Sequence, residues 1–86
     1  MHETVRIEVD DRECASPVLP ALRECADFHV TVARLPLGDY LVDGRFLFER
    51  KTLTDLVAAI KDGRLFRQAL RLAATPLQPA IILEGT

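Results

Sequence analysis

Three charged residues that could carry out chemistry lie within one short stretch of the chain, GDYLVDGRFLFERK at 38–51: Asp39, Glu49 and Lys51. Two carboxylates on one surface provide the oxygen ligands that Mg²⁺ and Mn²⁺ prefer. A lysine beside such an ion can orient or deprotonate an attacking water and offset the charge of a phosphate. These residue types therefore indicate metal-assisted hydrolysis of a phosphodiester, provided that the fold brings them together.

The turn inside this stretch decides whether the three side chains share a face. Residues two apart on a strand point the same way, so the side chains of Glu49 and Lys51 lie on one face. An Asp-Gly dipeptide predicts a hairpin turn, and a plain two-residue loop would put Asp39 on the opposite face. A three-residue loop over 42–44 would instead pair Asp39 with Leu47, within diagonal reach of Glu49, about 7–8 Å away. The chemistry thus requires an odd-numbered loop or a bulge.

The rest of the chain predicts the elements that position these residues. Alternating apolar and polar residues predict strands, and apolar residues at helical spacing predict helices. The predicted strands are 5–10, 28–35, 38–42, 45–51 and 79–86, and the predicted helices are 17–26, 52–63 and 64–74. Thr52-x-x-Asp55 is a capping pattern at the start of the second helix. The order β-α-β-β-β-α-α-β indicates an α/β domain.

Composition excludes several classes of protein. The 86 residues fit one domain, 1–86, and 49% hydrophobic with 28% charged residues argues against disorder. No apolar run approaches the roughly 18 residues of a membrane helix, and the N-terminus is no signal peptide, so we expect an intracellular protein. A net charge of −2 opposes nucleic-acid binding by bulk charge alone. Positive charge is nevertheless concentrated on one side of the last predicted helix, which we call the arginine face: Arg64, Arg67 and Arg71.

Four segments of the chain stand in the order and spacing of a family signature: 9–13 (VDDRE), 38–40 (GDY), 49–56 (ERKTLTDL) and 62–68 (DGRLFRQ). Together they resemble the nuclease domain of the XPF/Hef-type structure-specific endonucleases, whose signature is G-D-x(n)-E-R-K-x3-D. That domain is a branch of the PD-(D/E)xK superfamily. The resemblance implies a restriction-endonuclease-like three-layer α/β/α core with a mixed sheet, and a chain truncated on its C-terminal side.

The same resemblance implies a function and a set of site residues. The function is cleavage of DNA near branches or junctions, dependent on Mg²⁺ or Mn²⁺, in repair or recombination, at the nucleoid or in a nucleus. The partners are DNA and a homo- or heterodimer mate bound through elements beyond residue 86. The implied metal ligands are Asp39 and Glu49, aided by the Arg50 carbonyl. The implied catalytic set is Asp10, Asp39, Glu49, Arg50, Lys51 and Asp55, and the implied DNA-binding set is Arg12, Arg64, Arg67 and Gln68.

Several of these residues have a simpler interpretation. Asp55 could act only in the capping pattern with Thr52. Arg12 and Glu13 could be solvated charges of a turn, and the arginine face could be the wet side of an amphipathic helix. The whole domain could be a catalytically silent DNA-binding or dimer scaffold, although degenerate copies lose the G-D and E-R-K residues that this chain keeps. Another divalent-metal phosphohydrolase on the same fold is a third alternative.

Overall fold

The computed structural model describes residues 4–85 and contains a five-stranded sheet. The strands are β1 (Val5–Asp10), β2 (Phe28–Ala33), β3 (Tyr40–Val42), β4 (Phe46–Thr52) and β5 (Gln78–Glu84); the helices are α1 (Val18–Arg23), α2 (Leu53–Lys61) and α3 (Arg64–Ala74). A short 3₁₀ turn, Asp11–Glu13, follows β1. The predicted α/β class and the order of the elements are confirmed, whereas β2 and α1 are shorter than predicted.

The sheet is mixed, as expected. Its strand order is β2-β1-β3-β4-β5. The pairs β1–β2 and β4–β5 are parallel, and the pairs β1–β3 and β3–β4 are antiparallel. This topology places the hairpin of β3 and β4 in the middle of the sheet, flanked on both sides. Within residues 4–85, no helix is long and apolar enough to cross a membrane.

The main hydrophobic core lies between the sheet and α1. Ile7, Val9 and Tyr40 point from β1 and β3 toward Leu19 of α1, and all four are nearly inaccessible to solvent. Side chains that alternate with these residues point to the opposite side of the sheet. That opposite side, which we call the α3 face, is covered by α3 through the buried Leu72.

A three-residue loop joins β3 to β4. The last pair before the loop joins Val42 to Phe46, which leaves residues 43–45 in the turn. Asp43 and Gly44 both have a positive φ, 51° and 65°, a conformation that Asp tolerates and Gly adopts freely. The predicted odd-numbered loop is therefore confirmed, but it lies one residue later in the chain than expected.

This register fixes the direction of the charged side chains. Leu41 pairs with Leu47, so the predicted pairing of Asp39 with Leu47 is wrong. Because side chains alternate along a strand, Leu47, Glu49 and Lys51 all point to the α3 face. Asp39 lies one residue before β3, where its backbone N–H donates to the carbonyl of Phe48 at 2.8 Å, and its negative charge raises the pKa of Glu49. The two carboxylates therefore lie close enough for their charges to interact.

Gly38, which precedes Asp39, cannot carry a side chain without strain. Its φ is 77°, and a Cβ at this position would lie 2.6 Å from Cδ1 of Leu47. Gly38→Ala is expected to lower the free energy of unfolding by about 2–3 kcal/mol, because the left-handed conformation and the overpacking each cost about 1–2 kcal/mol. Urea denaturation measures this loss.

Gly63 provides a matched control for this substitution. It has nearly the same φ, 78°, but no atom lies within 4 Å of the position of its Cβ. Gly63→Ala should therefore lower the free energy of unfolding only by the cost of the left-handed conformation, about 1 kcal/mol. Equal losses in the two variants would contradict a steric role for Leu47.

Candidate active site

Asp39 and Glu49 form a half-buried pair of carboxylates on the α3 face. Oδ2 of Asp39 accepts a hydrogen bond of 2.7 Å from the backbone N–H of Arg50, which ties this side chain to the neighbouring strand. Its other oxygen, Oδ1, accepts no hydrogen bond within residues 4–85. One carboxylate oxygen is thus used to hold the hairpin, and the other remains available to a ligand.

Both carboxylates are held in conditions that oppose their negative charge. Burial raises the pKa of Asp39, partly offset by the hydrogen bond from Arg50. Burial also raises the pKa of Glu49, and the negative charge of Asp39 raises it further. A cation bound between the two groups would remove their repulsion and stabilise both ionised forms.

The donor set fits Mg²⁺ or Mn²⁺ better than a structural metal. No three His, Cys, Asp or Glu side chains of the described residues lie close enough together to form a complete metal site. Mg²⁺ normally keeps several waters and takes only one or two carboxylates, with substrate phosphates completing its shell. Asp39 and Glu49 satisfy that requirement. The further contribution of the Arg50 carbonyl stays a prediction.

Lys51 lies two residues beyond Glu49 and faces the same way. Its side chain is buried, with 8% of the residue exposed. Within the described part of the chain its ammonium makes no hydrogen bond and no ion pair, although its charge lowers the pKa of Glu49. A lysine that is largely buried and whose ammonium has no protein partner is costly in a stable fold, and its ammonium is available to a substrate or a water.

Asp10 is fully buried, and both of its oxygens are already engaged. Oδ1 accepts the N–H of Leu35 at 2.9 Å, and Oδ2 accepts the backbone N–H of Arg12 at 3.0 Å and its Nε at 2.5 Å. The Arg12 side chain, with the backbone hydrogen bonds, lowers the pKa of Asp10 to about 2 despite the burial. Asp10 therefore joins the end of β1 to the segment after β2, and its catalytic role stays a prediction.

Arg12 stands between Asp10 and the carboxylate pair. Its side chain is 59% exposed while it binds Asp10, and its positive charge lowers the pKa of both Asp39 and Glu49. It is therefore more than a solvated charge of the turn after β1. DNA contact by Arg12 stays a prediction.

The side chain of Arg50 points away from Glu49 and Lys51, and its catalytic role stays a prediction. It alternates with Glu49 and Lys51 along β4, so its guanidinium points to the opposite face, where it bonds Glu13 at 2.7 Å and Ser16 at 2.8 Å. It also binds the carboxylate of Glu84 on β5, which is the largest cause of its raised pKa. We assign this guanidinium a structural role that joins the turn after β1 to the edge of the sheet.

Asp55 and Arg64 lie at helix ends, and local contacts account for the positions of both. The backbone N–H of Asp55 donates to Oγ1 of Thr52 at 3.1 Å, so the predicted N-cap of α2 is confirmed. The guanidinium of Arg64 pairs with Asp62 at 2.7 Å on the surface. Catalysis by Asp55 and DNA contact by Arg64 stay predictions, as does DNA contact by the exposed Arg67.

Two polar side chains of α3 lie beside Glu49. A small cleft beside Glu49 is lined by Leu37, Glu49, Gln68, Arg71 and Leu72. The charge of Arg71 lowers the pKa of Glu49, whereas the sequence had placed Arg71 only on the arginine face and not in the site. The spacing of three between Gln68 and Arg71 was the available signal, because residues at that spacing share one side of a helix.

The metal-free protein should have two opposite pH responses. Asp10 has a folded pKa of about 2 against an ordinary value of 3.8, so its contribution of about 2 kcal/mol is present above pH 4 and lost as the pH falls toward 2. Asp39 and Glu49 have raised pKa values. Their contribution is therefore present at low pH and lost as the pH rises through those raised values.

Urea denaturation in EDTA across the acidic range measures both responses. The wild type should be most stable in mildly acidic solution and lose stability on either side of it. In the double variant Asp39→Asn/Glu49→Gln, the loss toward neutral pH should disappear while the loss at low pH remains. A wild type whose stability rises continuously to pH 7 would contradict the proposed repulsion between the two carboxylates.

Comparison with known proteins gives the class of the fold and then the family. The computed structure is similar to that of XPF from Aeropyrum pernix, with a TM-score of 0.85 and 44% identity over 94% of this chain; the same protein in complex with DNA gives 0.84. The mixed sheet and the G-D and E-R-K residues on it thus define an XPF-type nuclease domain. The model of the ERCC4 domain matches residues 9–86, and the chain belongs to that family.

The curated relatives agree with this assignment but are longer. The chain is 36% identical, over 94% of its length, to the 3'-flap repair endonuclease Xpf of Saccharolobus solfataricus. It is 30% identical, over 95% of its length, to the DNA repair endonuclease XPF of Drosophila melanogaster. It spans 34% of the first protein, 8% of the second and 38% of the Aeropyrum chain.

Proposed function

We propose that this chain is the catalytic core of a DNA repair endonuclease that hydrolyses phosphodiester bonds near branched or junction DNA with Mg²⁺ or Mn²⁺. The observation that carries the proposal is the meeting of Asp39, Glu49 and Lys51 on one face in the middle of the sheet. The relatives support the reaction, since both are repair endonucleases and one is named for 3' flaps. A structural neighbour in complex with DNA supports the substrate.

Each residue of the site would have a separate role in hydrolysis. Asp39 and Glu49 would hold the divalent ion, which supplies a Lewis acid for the phosphate and lowers the pKa of a bound water. Lys51 would orient the attacking water and take up or release its proton, because its ammonium has no other hydrogen-bond partner in residues 4–85. Arg12 would offset the charge that builds up on the phosphate oxygens.

Binding to DNA would depend on a local concentration of positive charge, since the chain has a net charge of −2. Besides Lys51, the cations whose charges act on Glu49 are Arg12 and Arg71, and Arg67 is exposed one helical turn before Arg71. These groups can follow a phosphate backbone past the site. The protein is expected where DNA is, at the nucleoid or in a nucleus. Dimerisation with a second subunit stays a proposal.

A catalytically silent scaffold is the competing function on this fold. It would have no use for a buried lysine and two repelling carboxylates, all of which cost stability. Their retention at one place supports the enzyme over the scaffold.

Cleavage of labelled DNA tests the proposed substrate. The chain would be incubated in Mg²⁺ with forked DNA, with linear duplex of the same sequence and with a nucleoside triphosphate, and each reaction would be repeated in EDTA. We expect metal-dependent cutting of the fork that exceeds cutting of the linear duplex, and no hydrolysis of the nucleotide. Preferential hydrolysis of the nucleotide would instead indicate a different phosphohydrolase, and binding without cutting would indicate the scaffold.

A further inference from the structure

Oε1 of Gln68 is the one side-chain oxygen or nitrogen of the described residues that is itself inaccessible to solvent and has no hydrogen-bond partner. The atom is Oε1, an acceptor, and Gln68 lies in the middle of α3 on the side that covers the sheet. Buried polar groups are nearly always satisfied by protein or by an ordered water, because an unmade hydrogen bond is costly. An orphan acceptor at this place therefore points to a donor other than the protein.

The cleft that Gln68 helps to line is large enough for water and too small for a nucleotide. Its volume is about 40 Å³, whereas one water needs about 10–15 Å³ by the same measure. Leu37 and Leu72 supply apolar walls, so a water inside must find its partners among Gln68, Glu49 and Arg71. A buried water normally makes two to four hydrogen bonds, and this lining provides them.

The side chains around this cleft are fixed by the packing of α3. Leu72 is 6% exposed and anchors the helix on the sheet. Gln68 lies one turn before Leu72, so the two share a side of the helix. Gln68 and Glu49 thus present two acceptors to one small space, an arrangement that favours a water able to donate to both or a hydrated cation.

We propose that Gln68 is a positioning residue whose side-chain oxygen holds a water molecule in the cleft beside Glu49, and that this water belongs to the hydration shell of the divalent ion held by Asp39 and Glu49. The second half of this inference rests on the proposed function. Mg²⁺ usually keeps several waters when it binds to protein, and loss of a side chain that supports the groups around a metal typically weakens metal binding about 10–100-fold.

Gln68→Met tests the inference with a side chain of similar length and shape that cannot hold the water. Gln78→Met is the matched control, because Gln78 is exposed at the start of β5. Titration of Mn²⁺ followed by electron paramagnetic resonance should show about 10–100-fold weaker binding in Gln68→Met and unchanged binding in Gln78→Met. Thermal unfolding in EDTA verifies that both variants are folded. Equal Mn²⁺ affinity of Gln68→Met and the wild type would overturn the link to the metal.

A crystal structure of the metal-free wild type separates this inference from the proposed function. It should contain a water within about 3.2 Å of both the Gln68 amide and the Glu49 carboxylate. A dry cleft, or a direct hydrogen bond between Gln68 and Glu49, would overturn the inference whatever the enzyme does. If the water is present and the wild type binds no Mn²⁺, the water site stands, while the metal link and the metal-dependent function both fail.

Discussion

Lys51→Met is expected to lower the rate of DNA cleavage by about 10²–10⁴-fold, the usual contribution of a positioned proton-transfer group. Methionine preserves the buried part of the side chain, which is 8% exposed in all, and removes only the charge and the donors. Metal affinity should change little, because the two carboxylates remain. The loss should therefore appear in the rate constant at saturating DNA and Mg²⁺, and not in the binding of either.

Single-turnover cleavage of forked DNA measures this loss, with DNA binding followed separately in Ca²⁺. Arg23→Ala is a control for the removal of a surface cation, since Arg23 lies at the end of α1 on the other side of the sheet. It should cleave at the wild-type rate. A Lys51→Met protein that cleaves within a few-fold of the wild type would show that this lysine has no catalytic role.

Asp10→Ala is expected to lower the free energy of unfolding by about 3 kcal/mol or more, a large part of the stability of a small domain. The substitution removes the acceptor of the buried Leu35 N–H and leaves Arg12 without its partner. Such a loss exceeds that of an ordinary surface ion pair, about 0–1 kcal/mol. The main role of Asp10 would then be to stabilise the fold around Asp39. The backbone N–H of Asp10 donates to the carbonyl of Asp39 at 2.8 Å.

Urea denaturation at neutral pH compares this variant with two others. Asp11→Ala removes an adjacent carboxylate that pairs with Arg34 on the surface, and it should cost no more than about 1 kcal/mol. Asp10→Asn keeps an acceptor for Leu35 and should lose less than Asp10→Ala. If Asp10→Ala were as stable as Asp11→Ala, the hydrogen bonds of Asp10 would not contribute to the stability of the fold.

The local parts of this structure follow from the sequence because they depend on neighbours in the chain. Two-residue alternation put Glu49 and Lys51 on one face, and the chemistry required an odd hairpin loop that the structure has. The sequence did not predict the position of this loop. Asp43 adopts a left-handed conformation that sequence patterns assign first to glycine, so the turn lies one residue later and Leu41, rather than Asp39, pairs with Leu47.

The contacts between distant segments did not follow from the sequence. Asp10 accepts a hydrogen bond from Leu35, 25 positions away in the chain. Because of this bond, Asp10 has a structural role that the sequence did not predict. The same alternation that predicted Glu49 and Lys51 correctly also requires Arg50 to point away, whereas the family signature alone placed it among catalytic side chains. The approach of Gln68 and Arg71 to Glu49 depends on how α3 packs on the sheet, which no local pattern specifies.

A calorimetric titration of Mn²⁺ tests the assignment of Asp39 and Glu49 most directly. The wild type should bind one ion, and this binding should stabilise the folded state and raise its unfolding temperature. Asp39→Asn/Glu49→Gln should bind none and yet remain folded, because asparagine can still accept the Arg50 N–H and the repulsion between the carboxylates is gone. Mn²⁺ binding by the double variant with the affinity of the wild type would contradict the metal site on which the proposed nuclease depends.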